Sequence, residues 1–219
     1  MPYREEHDGG LAGGDRQGGY QMSPAVRAYY GDGMNSHAFV IRSIRSDEWR
    51  QVKELRLDAL RDPVAHLAFL ETYEDAVSKP DGFWQERASG AAVDATGRQQ
   101  IVAVGEDGVW AGSVTVLVEE AGVSDVFGEV PELSQGHLVG VYVRPEYRGS
   151  RAGVTRGLFD AALAWSWKAG LERVRLFVHE KNGRAEAFYR KAGFLPTGET
   201  TPMPGDTGEL ELEFVITRG

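Results

Sequence analysis

The chain has 219 residues, 42% of them hydrophobic, with 24 Lys+Arg against 33 Asp+Glu and no cysteine. That length suits one globular domain; the lack of cysteine excludes disulfides, thiolate nucleophiles, zinc ribbons and iron–sulfur clusters. A formal charge of -9 argues against nucleic acid, which asks for a basic face, and apolar runs of only a few residues fall far short of the ~20 needed to span a bilayer.

Residues 1–36 hold 8 of the 28 glycines, including the pairs Gly9-Gly10, Gly13-Gly14 and Gly18-Gly19. Apolar residues there are sparse and without a period, so the stretch is expected to be a disordered extension, with Met34 as an alternative start. No basic start leads into an apolar stretch, so no secretory leader is expected and the predicted compartment is cytoplasmic. Order is predicted from Phe39, where Phe39–Ile44 alternates as a strand. Ser46 is the expected N-cap of a helix carrying Val52, Leu55, Ala59 and Leu60 and ended by Asp62-Pro63. A second amphipathic stretch is expected around Trp84–Ala88. Gln100–Val104 and Val109–Glu119, split by Gly105–Gly108, read as an antiparallel hairpin. After a loop over 121–136 comes a strand, Leu138–Val143, halted by Arg144-Pro145; then a helix over Val154–Ala169 stopped by Gly170. Val174, Leu176 and Val178 alternate as a strand; Ala185, Phe188, Tyr189 and Ala192 form a short helical stripe; Glu209–Ile216 is the last strand. The order predicts an α/β (α+β) domain, a mixed sheet flanked by helices.

The segment that carries chemistry is a strand, a glycine-bearing loop and a helix: Val141-Tyr142-Val143, Arg148-Gly149-Ser150-Arg151-Ala152-Gly153, then Val154 onward. A helix N-terminus presents unpaired backbone N–H groups and partial positive charge, and glycines let a ligand approach the backbone. Together they suit a pyrophosphate, with Arg148 and Arg151 available to its oxygens. A tight β–α connection with surface arginines accounts for the same residues. A Walker loop would need Gly-Lys-Ser/Thr, and a Rossmann fingerprint three glycines early in a βαβ series; neither is met here.

The run from His137 to Phe194 resembles the central half of the GCN5-related N-acetyltransferase (GNAT) family. Arg148–Gly153 is similar to that family's loop Gln/Arg-x-x-Gly-x-Gly/Ala, and Asn182, Ala185, Tyr189, Gly193 and Phe194 match its Asn-x-x-Ala-x-x-x-Tyr-x-x-x-Gly-Phe stretch without a gap. The loop departs from the pattern: Arg151 stands where the family has glycine. The other register, through Gly153-Val154-Thr155, puts Ser150 at the basic position. The resemblance implies a domain over 39–216 with a mixed, mostly antiparallel sheet of six to seven strands, flanked by about four helices and open between the fourth and fifth. It implies acetyl-CoA as co-substrate with no metal, no nucleic acid and no membrane as partners, and it allows a homodimer. The implied activity is direct attack by a primary amine of a small molecule or protein on acetyl-CoA; a non-catalytic acyl-CoA-binding regulatory module on the same fold is the alternative. By the same resemblance, Val141 and Val143 bond the pantetheine arm, with Tyr142 between them. Gly149, Ser150, Ala152, Gly153, Val154, Thr155 and the two arginines receive the pyrophosphate. Asn182 contacts the arm and Tyr189 protonates the leaving thiolate, although Tyr189 also reads as a core aromatic and Asn182 as a helix cap. For the general base Glu119 is chosen over Glu120, His137 and His179, a water chain being the other route. The acceptor is expected against loops 64–84 and 197–208, which carry Phe69, Tyr73, Phe83, Trp84, Met203 and Asp206, a set compatible with a cationic amine.

Overall fold

The structure, a computed structural model, describes residues 26–30, 37–125, 127–149, 153–203 and 208–219, with residues 26–30, 37 and 38 as backbone alone. Its strands are β1 (Val26–Tyr30), β2 (His37–Ser43), β3 (Arg98–Val104), β4 (Trp110–Glu119), β5 (Gln135–Val143), β6 (Arg173–His179), β7 (Leu195–Pro202) and β8 (Leu210–Thr217). Its helices are α1 (Trp49–Leu60), α2 (Tyr73–Ser78), α3 (Asp81–Ser89), α4 (Val154–Lys168) and α5 (Gly183–Lys191). The strands make one sheet in the order β1-β2-β3-β4-β5-β6-β8-β7, antiparallel throughout except where β5 meets β6. The mixed, mostly antiparallel architecture is the one expected.

The differences in detail have physical reasons. Eight strands replace six to seven because the two edges escape a reading based on burial. β1 falls within the stretch 1–36 read as disordered. Its backbone pairs along β2 from Val26↔Ile41 to Tyr30↔His37, which needs strand partners but no apolar period; the rest of 1–36 lies outside the described residues. β7 carries two prolines and is exposed almost throughout, as an edge strand tolerates. The fifth helix, α2, is a single short segment capped by the Thr72 hydroxyl, which accepts from the Asp75 amide at 3.1 Å. Ser46 is not the cap of α1. The helix begins at Trp49, and Glu48 stands at its N-cap with its carboxylate turned back to accept from the Arg45 amide and the Arg42 guanidinium, both at 2.8 Å.

Strand alternation sorts the core into two layers. Ile101, Val114, Val116, Leu138, Leu176 and Phe214 face α4 and α5, where they meet Leu158, Phe159 and Phe194. Val102, Trp110 and Tyr142 face the other way and pack under α1–α3 with Val52, Leu55 and Trp84. α1–α3 cover only the β2–β4 end of that second face. Over β5, β6 and β8 it instead carries buried polar residues, Glu119, Gln135, His137, Arg175 and Glu213. Among the described residues no helix is long and apolar enough to cross a membrane.

β4 and β5 approach so closely at Gly112 that a Cβ there would lie 2.5 Å from the Tyr142 carbonyl oxygen and 3.0 Å from the Val143 Cα. Backbone cannot give way as a side chain can. Gly112→Ala is expected to destabilise the domain by about 1–3 kcal/mol, read as a lowered urea midpoint at unchanged slope; an unmoved midpoint would show that the two strands are not held in this register.

Candidate functional site

β5 and β6 run parallel for only three pairs, Gly136↔Val174, His137↔Arg175 and Leu138↔Leu176. Beyond Leu138 β5 stays with β4 while β6 stays with β8, so the sheet opens between them. A bulge marks the divergence: Gly140 and Val141 together oppose a single residue of β4, and Gly140 takes φ +63°, which glycine adopts at little cost. Neither Gly140 nor Val141 has a partner in the β4 register, which leaves main-chain groups at the opening.

Two cavities meet there. The first, about 550 Å³, is lined by Val141, Tyr142, Val143, Arg148, Gly149, Gly153, Thr155, Asn182 and Tyr189, all expected site residues. The second, about 520 Å³, occupies the open sheet face, and the two share Val141, Asn182 and Tyr189 together with Ala68 and Phe69. Val154 is in the core instead, 1% exposed. Ser150, Arg151 and Ala152 lie outside the described residues, so the choice of loop register stays where the sequence left it.

At the first cavity, Gly153 sits at the N-cap of α4 with φ +62° and no side chain caps the helix; its first turn carries no acid. Among the described residues no side chain bonds the starting amides. Arg148 donates through Nε to the Val143 carbonyl at 2.7 Å and pairs with Asp62. Asp62 is held below the usual aspartate range: burial opposes this, but the Arg148 bond and the Val64 amide outweigh it. Arg156, Arg184 and Lys191 also line this cavity. Arg184 and Lys191 were missed by sequence reading, though both lie within the matched stretch on α5, at its unspecified positions.

Tyr189 is fixed by ring packing on Phe159 at 5.6 Å and on Phe194 at 6.4 Å. It is both core aromatic and cavity wall, and no described residue hydrogen-bonds its hydroxyl. Burial, then the charge of Glu211, raises its pKa. Asn182 caps α5, its Oδ1 accepting from the Ala185 amide at 3.3 Å, while its residue still lines both cavities.

Glu119, the expected base, lines neither cavity. Its carboxylate accepts from His137 Nδ1 at 2.8 Å, from the Arg175 guanidinium at 2.8 Å and from Gln135 Nε2 at 2.8 Å. Burial alone would raise its pKa, but the His137 and Arg175 bonds hold it down to about 2, a poor proton acceptor near neutrality. It stands behind His137, which does line the second cavity. His179 is fixed at both nitrogens: Nδ1 accepts from the Lys181 amide at 3.1 Å, which leaves Nε2 to donate to Glu209 at 2.9 Å.

At the second cavity sequence reading also missed Glu211. Extending the β5–β6 register past Leu138 puts Val141 roughly level with His179, and His179 pairs with Glu211 on β8. Glu211 lines the second cavity, has no hydrogen-bond or ion-pair partner among the described residues, and has its pKa raised by burial, opposed by His179 and His137. Period-two spacing of Glu209, Glu211 and Glu213 in the last strand was the available signal. Of the expected acceptor residues, Phe69 lines both cavities. Trp84 is fully buried in the helical layer; Tyr73 lies under the Arg61 guanidinium and outside both cavity walls; Asp206 lies outside the described residues.

The model of the acetyltransferase (GNAT) family matches residues 49–194. A mycothiol acetyltransferase from Beutenbergia cavernae is 37% identical over 68 residues, which is 31% of this chain and only 22% of that protein. Among solved structures, the GNAT domain of the S. lividans PAT protein superposes with TM-score 0.61 at 16% identity, covering 88% of this chain and 97% of that one. A phosphinothricin acetyltransferase from Sinorhizobium meliloti, solved with AcCoA, gives TM-score 0.61 at 16% identity over 83% of this chain and 89% of that one. At such identity the structural likeness speaks for the fold alone.

The Glu119 pairing has a measurable consequence. Because its folded pKa lies near 2, below its ordinary 4.5, its contribution to stability is complete above about pH 4.5 and is lost as pH falls toward 2. Glu119→Gln is expected to lower the urea midpoint at pH 7 and to flatten its fall through that acid window; an unchanged acid slope would place the carboxylate outside the His137–Arg175 pairing.

Proposed function

The chain belongs to the acetyltransferase (GNAT) family, and from that premise we propose that it transfers the acetyl group of acetyl-CoA to a primary amine by direct attack in a ternary complex. The observation that carries this reading is the meeting of two cavities at one break in the sheet, with Tyr189 and Asn182 in both walls. The first cavity suits the coenzyme. Its α4 N-terminus and the Arg156, Arg184 and Lys191 cations accept a pyrophosphate, and the Gly140–Val141 backbone, outside the β4 register, offers an amide-bearing arm a strand edge. The acetyltransferase domain on this reading spans 39–216.

The amine approaches from the second cavity. Its nitrogen bonds to the thioester carbonyl carbon, the C–S bond breaks, the nitrogen sheds one proton and the departing sulfur gains one. Glu211 takes the first, since a carboxylate whose pKa burial raises, with no hydrogen-bond or ion-pair partner among the described residues, suits that task. Tyr189 gives the second. The two are linked electrostatically: the charge on Glu211 disfavours the phenolate, so protonating Glu211 eases proton loss from Tyr189 as negative charge gathers on sulfur. Passing the proton from Glu211 to the phenolate restores both. Glu119 serves by orienting His137.

Tyr189→Phe is expected to cut turnover of a responsive amine at least about tenfold with acetyl-CoA affinity retained, measured by free-thiol release and calorimetry. Tight acetyl-CoA binding with no turnover of any amine would instead indicate a regulatory acyl-CoA-binding module.

Glu211→Gln is expected to lower kcat/KM by about 10²–10⁴ and to abolish the acid limb of its pH profile, in which the rate falls as the carboxyl becomes protonated. The same limb is expected to survive in Glu119→Gln. The reverse result would return the base to the Glu119–His137 pair.

A further inference from the structure

The second cavity has a basic end for which the acyl-transfer chemistry has no use. Arg56 from α1, Arg87 from α3 and Arg98 at the start of β3 all line it, and Glu71 is the acid beside them. Two of the three guanidinia are held in place by the protein. Arg56 bonds Glu71 at 3.0 Å with its carbon 4.4 Å from the Phe69 ring centre. Arg98 donates through Nε to the Gly90 carbonyl at the end of α3, 2.9 Å away, and lies so close that a Cβ on Gly90 would collide with it. Arg87 is half-buried and has no hydrogen-bond or ion-pair partner among the described residues. Three cations against one carboxylate leave this end positive, in a chain whose formal charge is -9.

A half-buried guanidinium without a counter-ion costs free energy that an anion would recover. The neighbouring charges agree: burial depresses the pKa of Arg87, Arg56 and Arg98 depress it further, and Glu71 alone opposes them. We propose that this end of the cavity is an anion subsite of the acceptor, so that the amine to be acetylated carries a carboxylate, phosphonate or phosphate at its far end, received by Arg87 between Arg56 and Arg98. The fork of Arg87 suits two oxygens of one such group. Arg98 stands two strands from β5 and level with His137 through Leu117, four residues short of Val141, so a chain of several atoms separates the anion from the amine. An acceptor with a second cation at its far end would instead set that charge against Arg87 and its neighbours. The inference rests on the acyl-transfer reading, whose own test is acetyl-CoA binding and thiol release.

The full chain is assayed with ω-amino carboxylates of four to eight carbons against their primary amides, and with aminoalkyl phosphates against the matching amino alcohols. In each pair the anionic member is expected to show a kcat/KM at least about tenfold higher. Arg87→Gln is expected to bring the ratio to within about twofold by loss on the anionic member alone, with Arg87→Lys in between; the preferred pair tells carboxylate from phosphate. Equal turnover within the pairs, or a ratio that survives Arg87→Gln in a protein that still binds acetyl-CoA, overturns the proposal. Should no pair be turned over, N-acetyl-6-aminohexanoate and its amide are titrated into the coenzyme A complex of the wild type: carboxylate binding at least about tenfold tighter supports the subsite, and equal or absent binding overturns it. Failure to bind acetyl-CoA at all would count against the acyl-transfer reading instead.

Discussion

The parting of β5 from β6 after Leu138 is the constraint on which the rest of the molecule depends. A continuous sheet would pair every main-chain group between these strands and leave no room at its centre. Here three parallel pairs hold the strands together at one end, and the bulge at Gly140 commits the rest of β5 to β4. Burial stays complete where the strands pair: Leu138 and Leu176 are 2% and 1% exposed on the α4–α5 face. The opening begins one residue later. α5 then brings Tyr189 across it, anchored on Phe159 and Phe194. The site thus costs the core little, because it occupies the one place where two strands have already ceased to be neighbours.

Polar groups on the open face divide into those that are answered by the protein and those that are not. Arg175 lies between Glu119, Asp125 and Glu213, and Glu119 also receives His137 and Gln135. A buried charge is tolerated when each of its bonding positions is met, and removing one partner exposes the rest. That network fixes the face, and within it burial would raise the Glu119 carboxyl while the His137 and Arg175 bonds hold it down to about 2. Glu211, Tyr189 and Arg87 are polar groups in the cavity walls for which no protein partner is recorded among the described residues. In a folded protein such groups are expensive, and their convergence on one cavity system marks where ligands, rather than side chains, complete the bonding.

How much of this was legible in the sequence follows from what each element is built on. Elements defined by burial were readable: the stripe Val52, Leu55, Ala59, Leu60 gave α1, the alternation Val174, Leu176, Val178 gave β6, and Gly170 marked the end of α4. Elements defined only by backbone pairing were not. β1 and β7 are edge strands with one neighbour each, and β7 has neither an apolar face nor freedom from proline. The first cavity was legible because a loop and a helix N-terminus adjacent in sequence make much of it. The second was not, because it draws Arg56, Arg87, Arg98, His137 and Glu211 from five separate elements, and only the fold brings them to one wall. The surroundings of Glu119 were hidden for the same reason: its position at the end of a strand was visible, but the Arg175 that bonds its carboxylate is 56 residues away in sequence.

The distribution of charge adds a last step. With 33 acids against 24 lysines and arginines, the protein as a whole repels anions beyond a Debye length of about 8–10 Å only weakly, but closer to the surface the repulsion is felt. Against that background Arg156, Arg184 and Lys191 face the first cavity, and Arg56, Arg87 and Arg98 the second. Low-dielectric walls concentrate the field of such groups, so each cavity offers an anion a favourable local potential. Between them, at the junction, the shared walls are Ala68, Phe69, Val141, Asn182 and Tyr189, which carry no formal charge. A ligand entering from either side therefore anchors its charged end at its own mouth and directs its uncharged, reactive end inward. On the proposed reading this lets two anionic molecules, which repel each other in solution, place a thioester and an amine side by side with their charges held at opposite ends of the molecule.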